Sequence, residues 1–262
     1  MNSSDGSGEV RLPWSSSITE VRPNELRTYG VDQRTIIREF SFEEMVFLVL
    51  RGRRPDPVER TMLRAVLVSV VSHGITGQST MAVVAAADCP SDFLHALVAG
   101  FSVGAGPVHL GATAAAMVQL QELARLSEPE LDQRIEEQLD ADRPVTGFGH
   151  RFHSEDPRAH EILELARESG FDGPHLRLAR RLQELLRERR GIALNIAGAN
   201  AAILLDLGFD PRIAQLFIVL GRSPMYAAVY LERLAQGRDP FQRIEVVDVL
   251  DEGRAESPAD PD

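Results

Sequence analysis

Helix punctuation recurs along this chain so often that little room is left for a sheet. Ser41-Phe42-Glu43-Glu44 forms a capping box, and an apolar run from Met45 to Leu50 follows it, closing near Gly52. Asp56-Pro57 opens a second helix that carries Met62, Leu63, Val66, Leu67 and Val70 at helical spacing. A break at Gly74 to Gln78 precedes a small-residue helix over Ser79–Ala87, and Ser91-Asp92 caps another that runs to about Val103. The sharp step Gly104-Ala105-Gly106-Pro107 comes before Val108-His109-Leu110 and an alanine-rich helix to about Leu126. Further helices are expected over Glu130–Leu139, Pro157–Ser169, Pro174–Arg190, Leu194–Leu207, Pro211–Leu220 and Pro224–Gln236. Strand signals are confined to short pieces near 12–29 and Ile244–Val249, and no internal repeat stands out. The chain is expected to be all-α, with tails at 1–11 and 251–262 too polar and Gly/Pro-rich to fold.

Composition then removes classes of chemistry. All 28 basic residues are arginine and none is lysine. Schiff-base catalysis, lysine-anchored pyridoxal phosphate and a Walker-type phosphate loop are therefore closed to this chain. A net charge of −11 argues against nucleic-acid binding, so an anionic ligand would need a local cluster of Arg and His. The single cysteine, Cys89, excludes an internal disulfide and a multi-cysteine metal site. No apolar run reads as long and uncharged enough for a membrane span, the opening residues carry no secretory signal, and cytoplasm is the default.

The chemistry-bearing residues gather at breaks. His73, His109 and His150 each stand beside a glycine-rich turn, where backbone can approach a ligand closely. The segment from Gly147 to Arg158 is the densest. It places His150 after Gly147-Phe148-Gly149, then reaches Asp156-Pro157-Arg158, with Asp156 set to cap a helix and Arg158 at its N-terminus. An imidazole and a guanidinium on one short segment suit a small acidic molecule. The plain alternatives are that His109 merely caps the alanine-rich helix and that Arg222 is a surface charge. His95, His160 and His175 read as ordinary helix-face residues, and His153 shares the loop with His150. No His-Glu-x-x-His motif or carboxylate cluster suggests a metal.

Three motifs in order, Gly106-Pro107-Val108-His109-Leu110-Gly111-Ala112, Gly147-Phe148-Gly149-His150-Arg151 with Asp156-Pro157-Arg158, and Gly221-Arg222-Ser223-Pro224, resemble the citrate synthase family. The early part, from Ile18 to Val70 and then Ser72-His73-Gly74-Ile75-Thr76, is more similar to its short citryl-CoA lyase members. The resemblance implies a helical homodimer with a large domain (12–110 and 222–250) and a small one (111–221). It implies an enzyme that makes or cleaves a carbon–carbon bond between an acyl-CoA and a keto acid, citryl-CoA to acetyl-CoA and oxaloacetate above all. A citrate or methylcitrate synthase is the alternative. Coenzyme A would enter as the substrate's thioester, with no permanent cofactor and no metal. By motif, His109 matches the donor to the thioester carbonyl as it becomes an enolate, and His150 the group polarising the keto oxygen. His73 matches a residue holding the keto acid, Arg158 and Arg222 match grips on its carboxylates, and Arg243 lies near a further arginine that comes from the partner subunit. These roles fit the chemistry: two developing oxyanions need aimed donors, and a neutral imidazole at a helix N-terminus is one.

One position departs. In Leu194-Asn195-Ile196-Ala197-Gly198-Ala199-Asn200 the family's proton-moving aspartate is replaced by Ala197. Another group, such as Asn195, Asn200, His153 or a water, could take over, or the reaction could depend less on a base. Alternatively the chain could be a non-catalytic binder of CoA esters or keto acids. The nearest carboxylate in sequence, Asp206, lies nine residues on, roughly 13 Å along a helix.

Overall fold

A computed structural model describes residues 15–141, 143–150 and 153–237. Among them the chain is helical apart from one small sheet. Strands β1 (Thr19–Arg22), β2 (Glu25–Thr28) and β3 (Val31–Asp32) pair antiparallel in the order β1-β2-β3. Thr19 faces Thr28 across the first hairpin, and Thr28 faces Val31 across the second. Its tight turn uses Tyr29 and Gly30, both with positive φ, as a two-residue hairpin needs. Strands β1 and β2 fall within the short strand region expected near 12–29, and β3 lies just beyond it. The other strand expectation, Ile244–Val249, lies outside the described residues, as do both expected tails and Arg243.

Eleven α-helices follow: α1 (Gln33–Glu39), α2 (Phe42–Arg51), α3 (Pro57–Ser69), α4 (Gln78–Asp88), α5 (Phe93–Gly104) and α6 (Ala112–Leu123). They continue with α7 (Glu128–Asp140), α8 (Pro157–Ser169), α9 (Pro174–Arg190), α10 (Ile196–Asp206) and α11 (Ala214–Ala235). The caps do what their residue types dictate. The capping box of Ser41 and Glu44 is formed at α2, and Asp56 with Glu59 makes a second at α3. Asp156 accepts the Arg158 N–H at the start of α8, which ends at Gly170 in the left-handed conformation.

The structure departs from the sequence reading at α11. Two helices separated at Gly221–Ser223 were expected, but the helix runs unbroken through Pro224. Proline withdraws one N–H from the ladder and crowds the carbonyl four residues back. Packing of the surrounding turn, where buried Arg222 donates to the Val70 carbonyl at the end of α3, accompanies the uninterrupted helix. The stretch Pro211–Ala235 is also, by length and composition alone, apolar enough to cross a membrane, contrary to expectation. A core helix of a soluble protein passes the same length-and-composition test, and 39% of an 18-residue window of this one is buried inside the fold.

The chain divides into two compact units, the first from 1–72 and 105–222, the second from 73–104 and 223–262. In the first, α10 is buried almost all round: Ala199, Ala201, Ala202, Ile203 and Leu204 are fully inaccessible, the alanines letting neighbouring helices approach closely. It packs against α6, α9, α3 and α8. In the second unit α4 packs on α5, and Val83, Ala96 and Tyr226 form a smaller core.

Candidate active site

Within the first unit the loop that carries His150 meets the N-terminal end of α10, while the turn that carries His109 leads into α6, whose Ala116 faces that loop. Thr146 N–H donates to the Gln119 side chain of α6 at 2.8 Å, and Gly149 N–H donates to the Ala193 carbonyl at 2.8 Å. Asn195 answers from the other side: its N–H donates to the Gly147 carbonyl (3.0 Å) and its side-chain amide to the Gly149 carbonyl (2.8 Å). Phe148 and Leu194 form an isolated antiparallel bridge between the same segments. The loop is thus stitched to residues 193–195 as if it were a strand.

This approach demands glycine. A Cβ on Gly147, where φ is +90°, would stand 2.7 Å from Gly198 Cα and 3.3 Å from Ala116 Cβ. One on Gly198 would overlap the Gly147 carbonyl and come within 2.7 Å of Leu194 Cδ1. The loop and the first turn of α10 therefore touch backbone to backbone, with the Ala116 methyl of α6 against the same point. His150 is exposed beside it. Its Nδ1 accepts the His153 N–H at 3.2 Å, so a neutral ring carries its proton on Nε2, the tautomer that donates. The rings of His150 and His153 lie 4.6 Å apart, inclined by 33°.

The second segment carries His109. Its N–H donates to the Gly106 carbonyl (3.2 Å), and its own carbonyl receives the Ala112 N–H (3.1 Å), so it sits in a tight turn leading into α6. Gly111, not His109, is the N-cap of α6, which removes the simple capping role. His109 is half-buried and lies three residues before the N-terminus of α6, the positive end of that helix's dipole.

The third is the start of α10 itself. Asn195 Oδ1 accepts from the N–H groups of Ala197 and Gly198. Asp156, from the start of α8, reaches across to accept the Ile196 N–H at 3.1 Å. Its side chain is fully inaccessible and holds Arg158 bidentately, Nε at 3.0 Å and Nη2 at 2.9 Å. Burial alone would raise the Asp156 pKa, but the Arg158 guanidinium and the two backbone donors outweigh it and hold the carboxyl below its usual range. Arg158 is thus fixed by an internal partner, with part of its fork left for a ligand. This clamp over 40 residues of sequence gives no local signal. Only its first half, the cap on α8, was legible.

Arg222 is not a surface charge: it is 4% exposed and donates through Nε to the Val70 carbonyl at 2.5 Å. His73 belongs to the second unit, half-buried, with Nδ1 donating to the Gly74 carbonyl at 3.1 Å. In a neutral ring that leaves Nε2 as an acceptor. Asp206 is engaged elsewhere, capping α9 through the N–H groups of His175 and Leu176 and the His175 ring at 2.8–3.0 Å. His175, expected to be an ordinary helix-face residue, is thereby a structural partner. Grooves of about 850 Å³ between α6 and α7 and about 570 Å³ between α3 and α8 contain neither His109 nor His150. Among the described residues no group of three His, Cys, Asp or Glu is arranged around a metal-sized site.

Residues 27–245 match the sequence profile described as citrate synthase, C-terminal domain. The chain belongs to the citrate synthase family. A citryl-CoA lyase from Hydrogenobacter thermophilus is 30% identical and superposes with a TM-score of 0.82, covering 94% of this chain and 96% of its own. The citrate synthase of Haloferax volcanii is 25% identical over 240 residues, 88% of this chain and 62% of the relative. A putative citrate synthase 2 of Mycobacterium tuberculosis is 30% identical over 218 residues, 80% of this chain and 57% of the relative. The chain thus spans between half and two thirds of the length of these two curated relatives. The expected citrate synthase-like helical fold is the fold of the family.

Proposed function

We propose that this protein is a citryl-CoA lyase-like enzyme, cleaving citryl-CoA to acetyl-CoA and oxaloacetate or joining them. The observation that carries this reading is the near full-length likeness to the Hydrogenobacter lyase, which leaves almost no part of either chain unmatched. The local geometry supports it. His150 is held as an Nε2–H donor, suited to a keto oxygen or the alkoxide it becomes, and His109 precedes α6 where a thioester oxygen would gain negative charge. Arg158 and Arg222 are the proposed carboxylate grips, with His73 and Arg243 completing the keto-acid site. A helical homodimer with large and small domains, working in the cytoplasm on coenzyme A thioesters without a permanent cofactor, belongs to the same proposal.

A specific observation favours a second reading. Ala197 offers a methyl group where proton transfer to carbon needs an acid or base, so the chain could bind the same ligands without turning them over. Purified protein supplied with citryl-CoA, with oxaloacetate release followed, decides between them. Release by the native protein that falls by ~10²–10³ in His150→Ala supports the lyase. Tight binding of citryl-CoA with no release supports the binder, and native turnover untouched by His150→Ala would sink the site assignment.

A further inference from the structure

Making or breaking a carbon–carbon bond next to a thioester requires a group that exchanges a proton with that carbon. Ala197 supplies none, and the side chains around the start of α10 can be taken in turn. Asp156 is the nearest carboxylate to Ile196, but both its oxygens are occupied by Arg158 and by backbone N–H groups, and its side chain is fully inaccessible. Asn195 spends its oxygen on two N–H groups of α10 and its amide on the Gly149 carbonyl, and an amide is no base. Asn200 is 0% exposed and bonded to Ser69. Asp206 caps α9.

His153 differs from all of these. It is exposed, and among the described residues its ring nitrogens meet no protein partner. Its ring is stacked 4.6 Å from that of His150, on the loop stitched to residues 193–195. Its backbone also sets the division of labour: by occupying Nδ1 of His150, the His153 N–H makes the neutral His150 ring a donor and unsuits it as the base. Imidazole is the side chain that exchanges protons near neutral pH.

We propose that His153 is the catalytic acid–base group that moves the proton on and off the acyl-CoA carbon, an inference that rests on the lyase reading above. In the joining direction the α C–H bond breaks, its electron pair stays as the enolate, and the proton passes to a ring nitrogen of His153. In cleavage the C–C pair goes to the same carbon, and the His153 imidazolium delivers its proton there. The hydroxyl proton of the citryl group leaves to water, from which His153 is recharged, so charge and protons balance over a turnover.

The test uses the full chain with citryl-CoA, reading oxaloacetate release and citryl-CoA affinity, together with solvent deuterium uptake into the methyl group of acetyl-CoA. His153→Gln should lower turnover and deuterium uptake by ~10²–10⁴ while leaving affinity unchanged. Free imidazole should restore part of the activity to His153→Gly. The double variant His153→Gln with Ala197→Asp should recover turnover, because a carboxylate at 197 makes the imidazole dispensable. Native-like turnover in His153→Gln, with His150→Ala dead, would overturn the proposal and leave the lyase reading standing. So would joint loss of affinity and turnover in His153→Gln, which marks a structural role. A silent native protein that Ala197→Asp awakens overturns the proposal but keeps the pocket. Silence from both overturns proposal and lyase reading together.

Discussion

Asp156 accepts four hydrogen bonds, three from Arg158 and one from Ile196, and so ties the N-terminal ends of α8 and α10 together while fixing a guanidinium. A carboxylate filled in this way is structural and orienting. Its pKa is lowered, because Arg158 and the backbone donors outweigh the opposing effect of burial. A lowered folded-state value means that its contribution to stability is complete above the ordinary aspartate range and is lost as pH falls through the folded value. Asp156→Asn should therefore cost about 1–3 kcal/mol at neutral pH, the typical penalty for unsatisfying buried polar groups. The deficit relative to the native protein should stay constant down to about pH 5 and shrink below about pH 4, where the carboxyl of the unfolded chain takes up a proton while that of the native protein stays ionised. Urea denaturation across that range measures it, and a deficit that widens on acidification would contradict the sign.

At the scale of elements, the closest contact in the site is between two glycines. Adding a methyl at 198 would drive it into the Gly147 carbonyl and Leu194. Gly198→Ala, a gain in helix propensity on an exposed helix, should here destabilise by about 1–3 kcal/mol through overpacking. It should also lower citryl-CoA turnover by about 10²-fold, because the displaced loop carries His150. An unchanged urea midpoint together with native turnover would mean that the loop yields freely. Helices such as α8 and α9 were legible to the residue from their Pro starts and Gly ends, because caps are local chemistry. The seven-residue α1 was not, since a helix that short has too little periodicity to read. Neither was the continuity of α11, since a proline is a stop signal unless packing overrides it. The motifs picked out His109, His150, Arg158 and Arg222 as candidates along the chain. The stitching of Gly149 to Ala193 and of Asn195 to Gly147, and the reach of Asp156 to Ile196, join residues about 40 or more positions apart, and no local pattern encodes them.

For the whole molecule, the two functional readings differ in turnover but share one thermodynamic consequence. A ligand that binds only the folded chain stabilises it by RT ln(1 + [L]/Kd), about 2.7 kcal/mol at a hundredfold excess over Kd. For a chain of this size each kcal/mol moves the melting temperature by roughly 2–4 °C. Saturating oxaloacetate or a non-cleavable citryl-CoA analogue should therefore raise the native midpoint by about 5–10 °C by these two relations. The effect should survive in His153→Gln, because that substitution leaves the proposed carboxylate grips, Arg158 and Arg222, in place. It should largely vanish when Arg222 is changed to glutamine and the ligand is a keto acid, since the buried guanidinium is the charge that a carboxylate would need. Inorganic phosphate is the control for nonspecific anion binding: a chain of net charge −11 has no general affinity for anions, so a comparable shift with phosphate would deny the site its selectivity. Thermal shift thus reports the pocket independently of the chemistry. A protein that shows the shift yet never releases oxaloacetate would be a binder built on an enzyme's fold, whereas one that shows both has found its proton carrier outside position 197.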